Sequence, residues 1–432
     1  TYVRNMVHLE LATAYQQSLD YEHAAEIFDM IARSAQACGD FVVEILGLSG
    51  QARMMLTLGK LQRAFEIASQ GIERLENTGK VTPFSATLFG EVGSVYFEWH
   101  QFDQAKEFFQ RSTESSGLNG YSDPQIYQHV ALSRMYLMNG NREVAAEEKH
   151  FVENLSRENH PVMTQEGVIC QQIRVALANH HLDAAQALLK EHDFEIESEL
   201  RFPGLVSGSP ITQPTGLLYN SALRYLLAKM EQTREHAQAT INLATLVLET
   251  ALRCQLTSIA LETFLVRSQM QAVLANEELA LADISQALDL ASQEGFISIF
   301  VEEGEQVRRL LTTLLKQRGA GATQPHFIHK VLAAFPSELP NPSPEGQPEV
   351  GPGKAKVVAR EQLIKLLTAR ELEVLKLIAA GDSNQSISEK LVISVSAVKK
   401  HSGNIYSKLA VNSRTQAVLR ARQLGLLDPE VD

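Results

Sequence analysis

Small residues recur along the first two thirds of the chain at intervals close to 40 residues. Nine positions before each lies a residue that is apolar or aromatic in most copies, and five positions before each lies a turn-forming residue in most copies. Apolar side chains three and four positions apart form one face of a helix, so each interval predicts a helix, a turn and a second helix. The small residues of the seven intervals are Ala24, Ala64, Ala105, Ala145, Ala184, Ala237 and Ala280.

The predicted turns are of uneven quality. Gly59, His100, Gly140, Asn179 and Gln232 occupy the turn position, with Leu19 and Ala275 as poorer matches. A single hairpin leaves an apolar face uncovered, and stacked neighbours cover it, which predicts an α-solenoid with a concave surface. The spacing resembles that of tetratricopeptide repeats, although their period is about 34 residues. We describe the region as TPR-like.

One interval is longer than the others. The 53 residues between Ala184 and Ala237 include three prolines and three glycines within residues 191–216, which predicts a long loop that interrupts the stack. Such a loop is either a surface excursion or a contact site for a ligand or a neighbouring domain, and the first interpretation is favoured.

Proline marks the end of the repeats. Six of the 14 prolines lie at residues 336–352, and proline at this density excludes a helix. We therefore predict three parts: a TPR-like solenoid at residues 1–317, a linker at 318–360 that is rich in Pro and Gly at 336–353, and a domain at 361–432. The predicted fold class is all-α throughout.

Four short helices are predicted in the last part. Thr368 and Glu371 have the spacing of a helix N-terminal capping box, and Gly381 ends that helix. Short turns separate the following helices, so the second and third form a helix-turn-helix at about residues 384–403. The predicted inward positions are Leu372, Leu375, Ile378, Ala379, Ile387, Leu391, Val398, Ser402, Ile405, Leu409, Ala417, Ala421 and Leu424.

Charge is distributed unevenly. The whole chain has a formal charge of −12, which argues against binding nucleic acid along its full length. Residues 360–432, however, contain 11 Lys and Arg against 8 Asp and Glu, giving +3 and leaving −15 for the rest. No acidic residue lies between Glu389 and Asp428. Cationic side chains on a short helical domain either bind phosphate or only solvate the surface, and spacing must decide between these.

The third helix of this unit carries the predicted base-reading residues. In a helix-turn-helix this helix enters the major groove, where Lys can donate to guanine and Asn can pair with adenine. The candidates for base contact are Ser396, Lys399, Lys400 and Asn404, which avoid the inward positions. The candidates for phosphate contact are Ser383, Asn384, His401, Lys408 and Arg414.

Residues 367–418 resemble the LuxR-type DNA-binding domain. The matching marks are an opening LTxRE, a Gly-x-Ser-Asn turn at residues 381–384, Val-Lys-x-His at 398–401, Ile-x-x-Lys-Leu at 405–409 and Arg-Thr at 414–415. The resemblance implies a four-helix domain that binds double-stranded DNA, commonly as a homodimer, and that regulates transcription in bacteria through contact with RNA polymerase. Ser386, Ser388 and Ala397 stand where the family usually has Glu, Ala and Thr.

The order of solenoid, linker and terminal domain is similar to the rear part of the large MalT-like ATP-dependent regulators. The segments Glu294-Gly295-Phe296 and Glu302-Glu303-Gly304 strengthen this resemblance. In that family an ATPase module precedes the repeats. We expect that module to be absent from this chain, so ATP is a cofactor only if an upstream module exists.

Other chemistry finds no support in the sequence. The fragment Gly351-Pro352-Gly353-Lys354-Ala355 lacks the first Gly and the final Ser or Thr of a phosphate-binding loop. No metal site, cofactor site or catalytic set is predicted, so we expect a non-enzyme in the cytoplasm, without a membrane anchor. The leading hypothesis is a transcription regulator whose solenoid receives a small-molecule or protein effector. The alternatives are a protein-binding scaffold with a structural or dimerising tail, and the output half of a nucleotide-driven switch.

Overall fold

The computed structural model describes residues 2–82, 84–116, 123–159, 165–197, 199–318, 324–336, 369–379 and 384–391, with the single residues 382, 398, 402, 405 and 421. These residues are helical or irregular, and they contain no strand beyond an isolated bridge between Glu195 and Arg201. The chain divides into two compact units, residues 1–337 and 338–432. Within the described ranges, no helix is both long and apolar enough to span a bilayer.

Seven helical hairpins make up most of the first unit. Their bounds are α1 Tyr2–Gln17 and α2 Tyr21–Cys38, α3 Phe41–Thr57 and α4 Leu61–Thr78, α5 Ser85–Glu98 and α6 Phe102–Ser116, α7 Asp123–Met138 and α8 Arg142–Asn159, α9 Gln165–Ala178 and α10 Leu182–Glu191, α11 Gln213–Thr233 and α12 Ala237–Arg253, and α13 Thr257–Val273 and α14 Glu277–Glu294. We number the hairpins 1 to 7 in this order. The predicted all-α fold of TPR-like hairpins is confirmed.

The fourth residue of each hairpin's second helix is buried, and its amide donates to the carbonyl four residues earlier. This shared hydrogen bond defines the structural repeat. Its donors are Ala24, Ala64, Ala105, Ala145, Ala185, Thr240 and Ala280. They are separated by 40, 41, 40, 40, 55 and 40 residues, so the true period is more regular than the sequence indicates.

Two predicted repeat positions are therefore wrong. Ala184 is exposed and the adjacent Ala185 is fully buried, while Thr240, rather than Ala237, is equivalent in hairpin 6. The prediction depends on finding a small residue near each expected position. Residues 184 and 185 are both alanine, so residue type does not show which of the two is buried. In hairpin 6 a buried Thr fills the small-residue position, so a search for Ala shifts the register by three residues.

All seven hairpins turn through at least one residue with left-handed backbone dihedrals. Gly59 and Gly140 have φ of +72°, a conformation that glycine adopts without strain. Non-glycine residues adopt it in four further hairpins: Leu19, His100, His180 and Ala275, with φ between 60° and 62°. The two poor matches are thus genuine turns, whereas Asn179 precedes the left-handed residue His180. In hairpin 6, Arg234 and His236 have this conformation rather than Gln232.

The segment between α10 and α11 is partly core rather than a plain excursion. Phe194 and Phe202 are buried, and each ring contacts the ring of Tyr219 in α11. The Tyr219 hydroxyl donates to the carbonyl of Pro203 at 2.6 Å. The predicted loop also ends earlier than residue 216, because α11 begins at Gln213 with Thr212 as its N-cap.

Three shorter helices end the first unit: α15 Ser298–Glu302, α16 Glu305–Arg318 and α17 Pro325–Ala334. The last of these lies inside the segment 318–360 that the sequence predicts as a linker. Ile328 and Val331 of α17 are fully buried, because the helix packs its apolar face on the hairpin core. Residues 337–360 lie outside the described residues.

Two hydrogen bonds join hairpins that lie far apart along the chain. Thr257, which begins α13, donates its hydroxyl to the carbonyl of Leu58 at 2.8 Å, and the indole nitrogen of Trp99 donates to the carbonyl of Glu294 at 2.9 Å. Hairpins 2 and 3 therefore contact hairpin 7 directly. Solenoid hairpins ordinarily contact only their neighbours in sequence, so these bonds close the row on itself.

Candidate nucleic-acid interface

Two helices are described continuously in the C-terminal unit: α18 Ala369–Ala379 and α19 Asn384–Leu391. The amide of Asp382 donates to the carbonyl of Leu377 at 3.1 Å, five residues back, which is one bond of a Schellman helix end. The first helix thus stops where the sequence predicts. The predicted capping residues Thr368 and Ser383 lie outside the described residues.

The core of this unit is a small apolar cluster. Its fully or nearly fully buried members are Val374, Leu375, Ile378, Ile387, Val398, Ile405 and Ala421. Six of these seven were predicted as inward positions. The prediction omits Val374 because the buried face of α18 is rotated toward this residue, which leaves Leu372 and Ala379 half-buried at its edge.

The third helix of the unit is represented by Val398, Ser402 and Ile405, all helical. Their exposed fractions are 0%, 6% and 0%, so all three lie in the core beside α18 and α19. Spacings of four and three residues keep them on one side of a helix. This inward set matches the prediction for the groove-entering helix of a helix-turn-helix.

The predicted DNA-contacting residues fall largely outside the described part of the chain. Asn384 is the first residue of α19, and its side chain is not described. The remaining candidates lie outside the described residues: Ser383, Ser396, Lys399, Lys400, His401, Asn404, Lys408 and Arg414. Their roles in base and phosphate contact stay predictions.

Sequence reasoning missed the polar contacts that fix the second helix. The guanidinium of Arg370 in α18 donates to the carbonyl of Leu391 at the end of α19, and to the Glu373 carboxylate at 2.7 Å. A cation at the last carbonyls of a helix satisfies acceptors that lack an intrahelical partner. Arg370 therefore holds the chain where it leaves α19. Only its pairing with Glu373, three residues on, could have been found from spacing.

A second polar cluster surrounds Asp382. Its carboxylate accepts from the Lys390 ammonium at 2.6 and 2.7 Å and from the Ser386 hydroxyl at 2.9 Å. The Ser388 hydroxyl donates to the carbonyl of Gln385. Ser386 and Ser388, which depart from the LuxR-type pattern, thus find hydrogen-bond partners within or next to their own helix.

The first unit contains a separate charged cluster in its interior. The Arg134 guanidinium donates to both Glu302 oxygens at 2.6 and 2.8 Å, and Arg174 lies 3.7 Å from the same carboxylate. Burial raises the pKa of Glu302, but these two guanidinium groups outweigh it and hold the pKa at about 2. Glu302 is therefore ionised at neutral pH.

Two further buried carboxylates behave in the opposite way. Burial raises the pKa of Glu98 to about 7 against the attraction of Arg134, and the pKa of Glu91 to about 8 against that of Arg53. One oxygen of each carboxyl group is buried without a hydrogen-bond partner. Among the described residues, no group of three or more His, Cys, Asp or Glu side chains is arranged to hold a metal ion.

The comparisons with known proteins agree with both units. Residues 365–421 match the family described as bacterial regulatory proteins of the luxR family. Together with the small helical core of the described residues, this match places the protein in the class of DNA-binding transcription regulators. Residues 1–317 match the family described as the MalT-like TPR region, so the chain belongs to the MalT-like family.

Three relatives illustrate the extent of the similarity. The chain is 24% identical over 399 residues to the HTH-type transcriptional regulator MalT of Vibrio cholerae, covering 87% of this chain and 40% of that protein. It is 30% identical over 181 residues to MalT of Serratia proteamaculans, covering 41% of this chain and 20% of that protein. Over 68 residues it is 50% identical to the response regulator protein VraR of Staphylococcus aureus, covering 16% of this chain and 32% of that protein. The chain thus spans less than half the length of each relative.

Proposed function

We propose that the C-terminal unit binds double-stranded DNA by inserting its third helix into the major groove, and that the hairpin unit receives the signal that controls this binding. The observation that carries the proposal is the burial of Val398, Ser402 and Ile405 against α18 and α19. It supports the helix-turn-helix arrangement, in which the groove-facing side is opposite the buried side.

Helix geometry then selects the groove-facing positions. Each residue turns a helix by about 100°, so a helix that buries Val398, Ser402 and Ile405 carries positions 396 and 400 nearly opposite to them. Positions 399 and 404 flank that opposite face. We assign base contact to Ser396, Lys399, Lys400 and Asn404 on this ground. Ser383, Asn384, His401, Lys408 and Arg414 are assigned to phosphate.

Symmetry and partners follow from the same class of protein. A helix-turn-helix that binds as a homodimer reads two half-sites about one helical turn of DNA apart. We propose this arrangement, contact with RNA polymerase, and a small-molecule or protein effector at the hairpin unit, for which the MalT-like match of residues 1–317 gives support. Selection of bound sites from random DNA by the full chain would report binding, sequence preference and half-site spacing together.

The central test compares two double variants of equal charge. In the full chain, Lys399→Ala with Lys400→Ala should lower affinity for the selected site at least tenfold, because each lost bidentate base contact costs about 1–3 kcal/mol. The control is Lys330→Ala with Lys376→Ala, which removes two exposed cations from α17 and α18. The control should bind within about twofold of the wild type.

Salt dependence identifies the kind of contact. The logarithm of affinity falls with the logarithm of salt concentration, with a slope of about −0.9 for each phosphate neutralised. A shallower slope in the Lys399 and Lys400 variant would mean that these residues contact phosphate rather than bases. Equal binding by wild type and both double variants would reject the site assignment. A folded wild type that binds no duplex at low salt would instead favour the protein-binding scaffold.

A further inference from the structure

Residues 294–303, which we call the closing segment, connect α14 to α16 and contain α15. The Glu294 carboxylate accepts from the Gln62 amide of hairpin 2 at 3.0 Å. The amide of Ile297 donates to the carbonyl of Glu98 at 2.8 Å, and the Ser298 hydroxyl donates to that of Phe97 at 2.6 Å. This short segment thus bonds to hairpins 2 and 3, about 200 positions away in sequence.

The far end of the closing segment presents two carboxylates to three arginines. Glu302 pairs with Arg134 of hairpin 4 and lies near Arg174 of hairpin 5, as described above. Glu303 accepts from the Arg224 guanidinium of hairpin 6 at 2.9 Å. The exposed fractions of the two carboxylate side chains are only 2% and 5%. One segment therefore joins four successive hairpins through their first helices.

The apolar residues of the closing segment are buried in the core of the hairpin unit. The Phe300 side chain is fully buried, and its ring meets that of Phe327 in α17 edge-on, with 6.4 Å between centroids. Helix α15 contacts α5 and α7 as well as α16 and α17. The closing segment thus packs on both the hairpins and the shorter helices, and its bonds to hairpins 2 to 6 named above add hydrogen bonds and ion pairs.

Two features bear on the release of this polar set. Gly295 and Gly304 bound the segment with φ of +83° and +78°, so its two ends turn at residues with wide backbone freedom. The second oxygen of Glu98, beside Arg134, is buried without a hydrogen-bond partner. A buried network with an unsatisfied member gives less stabilisation than a complete one.

We propose that the closing segment is a releasable latch, whose carboxylates Glu302 and Glu303 occupy a carboxylate-binding site formed by Arg134, Arg174 and Arg224. Release of this site separates the carboxylate end of the closing segment from the arginines of hairpins 4 to 6, while α15 stays packed on α16 and α17. The latch provides two arrangements of the hairpin unit between which an effector could select. This inference goes beyond DNA binding, and its test needs no DNA.

Hydrogen exchange of the full chain, followed by mass spectrometry, tests the latch. The variant Glu302→Gln with Glu303→Gln keeps side-chain shape and removes both charges. We expect amides of residues 97–100 and 294–303 to exchange at least tenfold faster than in the wild type, with α2 unchanged. The matched control is Glu305→Gln, which removes a half-exposed carboxylate paired with Arg308 and Arg309 just beyond Gly304. It should leave exchange at both segments unchanged.

Two outcomes would overturn the proposal. One is unchanged exchange at residues 97–100 and 294–303 in the double variant. The other is equal acceleration in every helix of the unit, which would show that the ion pairs contribute only to global stability. If the double variant does not fold, Arg174→Gln removes the more distant cation at 3.7 Å and should give the same local pattern at a smaller amplitude.

Discussion

The C-terminal unit packs seven apolar side chains around one small core, contributed by helices that follow each other closely in the chain. The hairpin unit adds a second kind of contact, in which Thr257 bonds to Leu58 and Arg134 pairs with Glu302 across about 200 and 170 positions. The periodicity of apolar residues in the sequence predicts the first kind of contact but not the second. The helical hairpins and the contacts that join distant hairpins therefore depend on different features of the sequence.

The largest effect should come from the small core. Ile387→Ala removes a fully buried side chain and should destabilise the C-terminal unit by about 2–5 kcal/mol, enough to unfold a small domain. Calorimetry should show loss of one transition while the transition of the hairpin unit is kept. Gln385→Ala, at an exposed position of the same helix, is the control. Simultaneous loss of both transitions would show that the two units fold as one.

A pair of glycines separates turn geometry from closure. Gly59 and Gly140 share φ of +72°, but a Cβ on Gly59 would lie 2.5 Å from the Thr257 Cβ, whereas nothing lies within 4 Å of one on Gly140. Gly140→Ala should cost about 1 kcal/mol through backbone strain alone. Gly59→Ala should cost about 1–3 kcal/mol more, because hairpin 7 must move. Urea denaturation measures both, and equal costs would contradict contact between hairpins 2 and 7 in solution.

The smallest effect concerns the non-glycine turns. Ala275 has φ of +61°, so Ala275→Gly should relieve strain and stabilise the hairpin unit by about 0.5 kcal/mol, after the entropy that glycine adds to the unfolded chain. The same denaturation experiment detects it, with Ala272→Gly inside α13 as the control that should destabilise. Destabilisation by Ala275→Gly would mean that its methyl group contributes packing.

Much of the fold could be predicted from the sequence, since a period near 40 and the inward positions of the last domain depend on local helix geometry. The predicted positions Ala184 and Ala237 are wrong because residue type alone does not fix the register of the repeat. A Thr can occupy the buried small-residue position, and Leu or His can adopt a left-handed turn. The contacts that close the row of hairpins could not be predicted, because Arg134 and Glu302 lie far apart in the chain and no repeat relates them. At the candidate interface, Arg370 was missed because its acceptor, the Leu391 carbonyl, has no signature in sequence.

Closure also changes how the hairpin unit would respond to tension. An open row of hairpins peels apart one repeat at a time, since each holds only its neighbours. Here the closing segment ties hairpins 2 to 6 to the end of α14, so a pull on α16 is shared among bonds at Gln62, Phe97, Glu98, Arg134 and Arg224. A load of this kind would act on the closing segment first, and the hairpins would unravel only after its bonds had broken.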